Sequence, residues 1–367
     1  LASVIICPDS FKGSVSATGA AAAIAAGWRS VRPGDKIVEL GQADGGEGTT
    51  AAYAAAFPDG RWHEAPASGA DGAPVTGRWY VHDGLAVCEL AQVAGLPSLS
   101  QPDPLGATSR GLGEVIAAAA DAGCQRLAVG LGGSASTDGG AGALRALGLE
   151  LRDEHGARLP DGGGALVNLV TIDGAEELAG RLPMPVVVLT DVTSPLLGAN
   201  GAAAVFGPQK GAGPGEIALL ERGLQRWASL LGGATDVAGM GAAGGLGYGL
   251  VQGLGASLTD GAAWISRHTG LDDAIAGADL VITGEGRFDR TSLRGKVVGH
   301  VLALARETGA PVQVVAGQAA DLEPSSPPVS TLLDRAGSVS AAVAEPERWL
   351  TEIGAELAAS WPGTRAR

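Results

Sequence analysis

The chain has 367 residues, 46% of them hydrophobic and 17% charged, and a formal net charge of −14. That length suits two domains with their own cores, and the composition is that of a folded chain rather than a disordered one. The acidic balance, with no basic stripe, argues against nucleic acid and against an anionic membrane surface as partners, and no apolar run nears the ~20 residues that span a bilayer.

The first apolar run, residues 4–7, is too short for a leader and lacks a basic flank, so it reads as a buried strand. Further runs of the same kind lie at 127–131, 186–189, 280–283 and 312–316. They are rich in Leu and β-branched residues and do not alternate, as expected of strands covered on both faces. Ala-rich helical stretches fall at 16–31, 113–122, 216–231 and 297–308. The alternation predicts an α/β fold with a largely parallel sheet. Residues 61–90 differ: Arg78-Trp79-Tyr80-Val81-His82 and residues 85–90 flank Asp83-Gly84, a hairpin signal. An antiparallel patch in an α/β chain predicts an inserted domain, placed at 61–265, with 1–60 and 266–367 forming the other domain. Pro324-Ser325-Ser326-Pro327-Pro328 reads as a surface loop.

Cys7, Cys88 and Cys124 are far apart and show no CxxC or Cys/His spacing. This fits a reducing compartment, so the cytoplasm is the expected location, without a structural metal.

Only four of the 25 basic residues are Lys: Lys12, Lys36, Lys210 and Lys296. Lysines kept against such a bias are candidates for a role that needs Lys. Three of them, Lys12, Lys210 and Lys296, adjoin a glycine (Gly13, Gly211, Gly295), while Lys36 sits in a turn and reads as solvated. Glycine lets backbone N–H groups approach a phosphate, and a compact ammonium neutralises it.

Five segments carry polar chemistry after or near predicted strands. Pro8-Asp9-Ser10-Phe11-Lys12-Gly13-Ser14 follows the first strand, where open α/β sheets bind ligands; the plain alternative is a helix cap and a solvated Asp9. Ala43-Asp44-Gly45-Gly46-Glu47-Gly48-Thr49 is an acidic glycine loop suited to a metal or a hydroxyl. Residues 130–140, containing Gly132-Gly133-Ser134-Ala135-Ser136-Thr137-Asp138, form a phosphate-cradling nest, although no Walker GxxxxGK[ST] pattern occurs. In Thr190-Asp191-Val192-Thr193-Ser194-Pro195, Asp191 is placed to hold Mg²⁺ or accept a hydroxyl proton, and Asn200 and Lys210 follow downstream. Thr283-Gly284-Glu285-Gly286-Arg287-Phe288-Asp289 with Lys296 fits a Mg·ATP or sugar-acid site. One apparent motif is discounted. Gly239-Met240-Gly241-Ala242-Ala243-Gly244 matches GxGxxG but has no strand before it, which argues against a dinucleotide turn and against a NAD-dependent hydroxy-acid dehydrogenase. The five histidines have no ligand spacing, and no Gly-x-Ser-x-Gly elbow supports a hydrolase.

In this order the motifs resemble those of the type-I glycerate kinases over nearly the whole chain. The resemblance implies two α/β domains, one Rossmann/flavodoxin-like with a parallel sheet and one inserted and mixed, with the active site in the cleft between them. It implies ATP-dependent phosphorylation of D-glycerate and suggests 2-phosphoglycerate as product. Small molecules, glycerate and ATP, are the expected partners, and homo-oligomerisation stays open. Another small hydroxy acid on the same scaffold is the alternative substrate. Cys7, Ser194, Thr291 and Val298 stand where the family usually has Ala, Asn, Gln and Pro. On chemical grounds Asp191, Lys12 and Lys296 are the candidate catalytic residues. Gly132, Gly133, Ser134, Lys210 and Asn200 are assigned to the nucleotide and its phosphates, and Ser10, Lys12, Asp44 and Arg287 to glycerate. Asp191, Glu285 and Asp289 are the candidate Mg²⁺ ligands.

Overall fold

The computed structural model describes residues 1–182, 184–293, 296–322 and 324–362; Gly295 of the last motif lies outside them. The chain divides into two compact units. Residues 1–44, 51–58 and 262–367 form the first, and residues 45–50 and 59–261 the second.

In chain order the strands are β1 (Ser3–Ile6) and β2 (Lys36–Glu39); then β3 (Arg61–Ser68), β4 (Pro74–His82), β5 (Leu85–Glu89), β6 (Arg126–Gly130), β7 (Glu150–Arg152), β8 (Thr171–Asp173), β9 (Val186–Leu189) and β10 (Ser257–Thr259); and finally β11 (Leu280–Phe288), β12 (Val312–Ala319) and β13 (Val329–Thr331). The first unit carries one parallel sheet, in the order β13-β12-β11-β1-β2. Counted within the unit this is 5-4-3-1-2, the flavodoxin-like order, and its strand direction of travel reverses between β1 and β11. The predicted parallel α/β domain is present.

Strand β1 shows why its sequence does not alternate. Val4 and Ile6 pack with Ile24, Trp28, Leu350 and Ile353 on one face, while Ile5 and Cys7 pack with Leu271, Ile275, Val297 and Val301 on the other. A strand covered on both sides needs apolar residues at every position. Burial of the Cys7 thiol raises its pKa far above the ordinary range, so it behaves as a small apolar side chain. The helix Ala17–Val31 then begins where Ser16 Oγ accepts the N–H of Gly19 at 3.1 Å, a side-chain cap at the expected start.

One boundary differs from the sequence expectation. The apolar run ends at Thr283, yet β11 continues to Phe288, pairing Glu285 with Ala316 and Phe288 with Ala319. Gly284 makes this possible: a Cβ there would lie 1.9 Å from the Val315 carbonyl oxygen. Glu285 is therefore held on a strand rather than in a loop.

The second unit carries a mixed sheet, β10-β9-β6-β5-β4-β3, parallel from β10 to β5 and antiparallel from β5 to β3, and a two-stranded sheet of β7 and β8. The hairpin read from Asp83-Gly84 is there. Both residues have positive φ, 47° and 69°, as a two-residue turn between antiparallel strands requires. One contiguous core holds this unit, with Trp79, Leu112, Leu144, Leu224, Trp227 and Tyr248 among its members. The discounted glycine segment is again not preceded by a strand; residues 232–241 are turns and bends. Among the described residues no helix is long and apolar enough to cross a membrane.

Candidate active site

A cavity of about 370 Å³ opens in the first unit at the carboxyl ends of its parallel strands. Asp9, Ser10 and Lys12 follow β1, Asp44 follows β2, and Glu285, Arg287 and Asp289 come from the end of β11 and just beyond. Gln318 comes from β12, and Lys296 stands at the start of the helix Val297–Thr308. Because β1 and β11 are neighbours at the point of reversal, the helices that follow them pack on opposite faces of the sheet and leave a crevice, which is where open α/β sheets bind ligands. Three regions distant in sequence, around residues 9–12, 44 and 285–296, thus deliver three cations, Lys12, Arg287 and Lys296, and four carboxylates to one cavity.

The hydrogen-bond ladder sets Asp9. Cys7 N–H donates to the Ile282 carbonyl and Asp9 N–H to the Gly284 carbonyl, each at 2.8 Å, so the β1 backbone tracks β11 beyond the strand proper. The Asp9 carboxylate is 8% exposed and accepts the Ser10 N–H at 2.6 Å. Burial above all, and then the charge of Asp44, push its pKa up to about 7; the Ser10 N–H and Lys12 act in the opposite direction, and Glu285 adds to the rise. Sequence reasoning marked the segment 8–14 as a candidate ligand site, with a solvated Asp9 as the plain alternative, and did not name Asp9 among the site residues. The available signal was its position directly after a fully apolar strand.

Lys12 is presented by a tight turn. Phe11 N–H donates to the Val15 carbonyl at 2.9 Å, and Ser14 donates through both N–H and Oγ to the Phe11 carbonyl. The turn is closed by its own backbone, and Lys12 stands exposed at the cavity. Glu285 is 8% exposed, and its Oε1 has no hydrogen-bond partner. Burial raises its pKa; Ser292 and Lys296 oppose the rise, while Asp289 and Asp44 add to it. Asp289 has the opposite surroundings. Its Oδ1 accepts from Thr291 Oγ1 at 2.6 Å and from Thr291 N–H at 2.8 Å, and its Oδ2 accepts from Arg287 Nε at 3.1 Å. Those donors bring its pKa down to about 2. Asp289 thus fixes Arg287 and its own turn. An apolar wall, including Phe11, Leu332, Val339 and Val343, completes the cavity; it too was not anticipated.

The remaining expected site residues lie in the second unit. Gly132, Gly133 and Ser134 follow β6, and Asp191 follows β9, its parallel neighbour, so these two loops leave adjacent strand ends. Gly132 N–H donates to the Gly45 carbonyl at 2.9 Å, which commits it within the protein. Among the described residues the N–H groups of Gly133 and Ser134 have no backbone acceptor; Gly133 is exposed and Ser134 is buried. Asp138, from the same motif, is fully buried. It accepts the Ser109 N–H and Oγ at 2.8 Å each, the Gly142 N–H at 3.2 Å and the Gly140 N–H at 3.2 Å. It is the structural anchor of the loop. Asp191 and Asn200 are exposed.

Lys210 departs from its expected setting. It is 2% exposed, and its Nζ donates to Ser134 Oγ at 2.8 Å and to the Ser136 carbonyl. Its ammonium is spent inside the protein, on the loop that was expected to share a phosphate with it.

Hard carboxylate oxygens suit Mg²⁺, and the unpartnered Oε1 of Glu285 is a donor without a use in the protein alone. Among the described residues no group of three or more acidic, His or Cys side chains is arranged to hold a metal unaided. That is compatible with Mg²⁺, which commonly takes one or two carboxylates and completes its shell with water and substrate phosphates.

Residues 4–362 match the profile of the Glycerate kinase family. The chain is 42% identical over 328 residues to the glycerate 2-kinase of Escherichia coli K12, covering 87% of this chain and 86% of that protein. It is 43% identical over 324 residues to the glycerate kinase of Bacillus subtilis 168, covering 86% and 84%. Among solved structures, a putative glycerate kinase 2 from Salmonella typhimurium LT2 superposes with a TM-score of 0.81 at 36% identity, over 97% of both chains. With a match that runs through every motif described above, the chain belongs to the glycerate kinase family and is a phosphotransferase.

Proposed function

We propose that the protein transfers the γ-phosphoryl group of ATP to a hydroxyl of D-glycerate with the help of Mg²⁺, giving 2-phosphoglycerate and ADP. One observation carries the reading beyond family membership. The cavity at the β1–β11 reversal holds a buried carboxylate, Asp9, among cations suited to a sugar acid.

In this reading Lys12 and Arg287 hold the glycerate carboxylate, with Ser10 and Asp44 accepting or donating to its hydroxyls. Asp9 takes the proton of the attacking hydroxyl as its oxygen forms a bond to the γ-phosphorus and the bond to the β-γ bridging oxygen breaks. A base poised near neutral pH suits that task better than the exposed Asp191. Lys296 neutralises the phosphoryl group in transfer, and the amides of Gly133 and Ser134 receive nucleotide phosphates, with Gly132 shaping the turn; Asn200, from a later loop of the same unit, is assigned to the nucleotide as well. Glu285 and Asp191 are the carboxylates proposed as Mg²⁺ ligands on their chemistry; Asp289 already serves Arg287 and Thr291. Held there, Mg²⁺ would supply charge neutralisation for the phosphates. The three free cysteines support the cytoplasm as the place of this reaction.

The test is a coupled ADP assay with Mg·ATP and a panel of hydroxy acids, with NMR of the product. Glycerate-dependent ADP release, strong for the D enantiomer and weak for the L, with phosphate on O2, is expected. No ADP release, or equal rates for both enantiomers, removes the assignment. Phosphate on O3 keeps the kinase and corrects the product.

A further inference from the structure

Lys210 presents a physical puzzle. Its ammonium is buried, and its direct partners are a hydroxyl and a carbonyl, not a carboxylate. Burying a charge on such terms is costly. Burial draws its pKa down to about 7, against the pull of the Asp138 charge. An apolar side chain of the same length would fill the space without that cost. It would also leave no new orphan, because Ser134 Oγ already donates to the Ser136 carbonyl at 3.1 Å.

What the lysine does supply is a tie across the middle of the loop. One end is anchored by Asp138. The other is held by Leu96 N–H on the Gly133 carbonyl at 2.8 Å and by Ala135 N–H on the Ala94 carbonyl at 2.9 Å. Between them, the loop's own hydroxyls supply a single bond, from Ser134 Oγ to the Ser136 carbonyl, while Ser136 Oγ and Thr137 Oγ1 are buried without partners. Lys210 Nζ adds to the Ser134 Oγ–Ser136 carbonyl bond a tie from both residues to the separate segment Pro208–Lys210.

We propose that Lys210 is a positioning residue for nucleotide binding: from inside the protein it fixes the turn at Ser134–Ser136, so that the Gly133 and Ser134 amides stay open to a phosphate. This rests on the reading of that loop as the phosphate seat. The chain retains a lysine that burial disfavours because the loop, not the core, requires it.

The experiment compares Mg·ATP binding by calorimetry and thermal unfolding for the wild type, Lys210→Met, Lys210→Gln and Gly133→Val. Lys210→Met is expected to unfold at the same temperature or higher, yet to bind Mg·ATP roughly tenfold or more weakly, with D-glycerate affinity unchanged. Lys210→Gln keeps an N–H donor without the charge and is expected to recover part of the loss. A purely structural role predicts the reverse pattern, a lower unfolding temperature with ATP affinity intact, and that result overturns the proposal. Should the Met variant fail to fold, the Gln variant decides by the same criterion. Gly133→Val strains a residue at φ 79° and reports on the loop itself. Weak ATP binding there beside normal binding in both Lys210 variants rejects the lysine's role alone. Normal binding in all three rejects the phosphate loop as well.

Discussion

Lys12 and Lys210 look alike in the sequence, each beside a glycine in a chain with only four lysines, but the two units put them to opposite uses. Lys12 stands exposed on a self-closed turn at the cavity of the first unit. Lys210 is buried in the second, bonded to Ser134 and Ser136. The carboxylates divide the same way. Asp138 is saturated by N–H and hydroxyl donors. Asp9, largely buried but on the cavity wall, has the Ser10 N–H and two like charges. A buried charge whose partners are all supplied by the protein maintains structure, while one left short of partners is available for chemistry.

Asp9→Asn is the most severe way to probe that contrast. Loss of a general base is expected to lower kcat by roughly 10²–10⁴-fold, measured by steady-state ADP release. The same change should stabilise the protein at alkaline pH. The folded pKa of Asp9, about 7, lies above the free value of 3.8. Its contribution to stability is therefore fullest below pH 3.8 and is lost as the pH rises through 7. The melting temperature of the Asn variant should exceed that of the wild type at pH 8 and approach it at pH 5. A kcat near that of the wild type would move the proton acceptor elsewhere, with Asp191 the next candidate.

Lys12→Met and Lys296→Met come next, each expected to lower kcat/KM by at least ~10²-fold without unfolding. A charge-assisted contact to a carboxylate or phosphate in a water-poor site carries that much. Lys→Arg at both positions should fail to restore the rate, because the larger planar group does not replace a compact ammonium. Near-full activity in both Arg variants would show that these lysines are not the contacts inferred here.

A smaller effect separates the charges around Asp9. The acid side of the kcat/KM profile should fall as the pH drops below about 7, when Asp9 takes up a proton. Asp44→Asn removes a like charge that raises this pKa, so the limb should move to lower pH whatever the change in rate. An unmoved limb would assign the titration to another group. The smallest effect is that of Lys36→Met. Lys36 is exposed at the start of β2, and its kcat/KM should stay within about twofold of wild type.

Local chemistry carried much of the fold into the sequence. Apolar runs without alternation became the doubly covered strands β1, β6 and β9, because a strand packed on both faces tolerates few polar residues. Asp83-Gly84 became a hairpin because two positive φ values are needed there. Ser16 capped its helix by a contact made within three residues. The motif residues Ser10, Lys12, Asp44, Glu285, Arg287 and Lys296 were legible as polar punctuation after strands, and the β1–β11 adjacency turned them into one cavity wall. The extension of β11 through Glu285 was not legible, because it depends on how closely Val315 approaches Gly284. Nor was the difference between Asp9 and Asp138, or between Lys12 and Lys210. Periodicity, turn residues and caps act over a few positions, so the chain's order alone determines them. Whether a charged side chain ends up facing a cavity or a loop depends on segments tens to hundreds of residues away, and only the tertiary structure decides that.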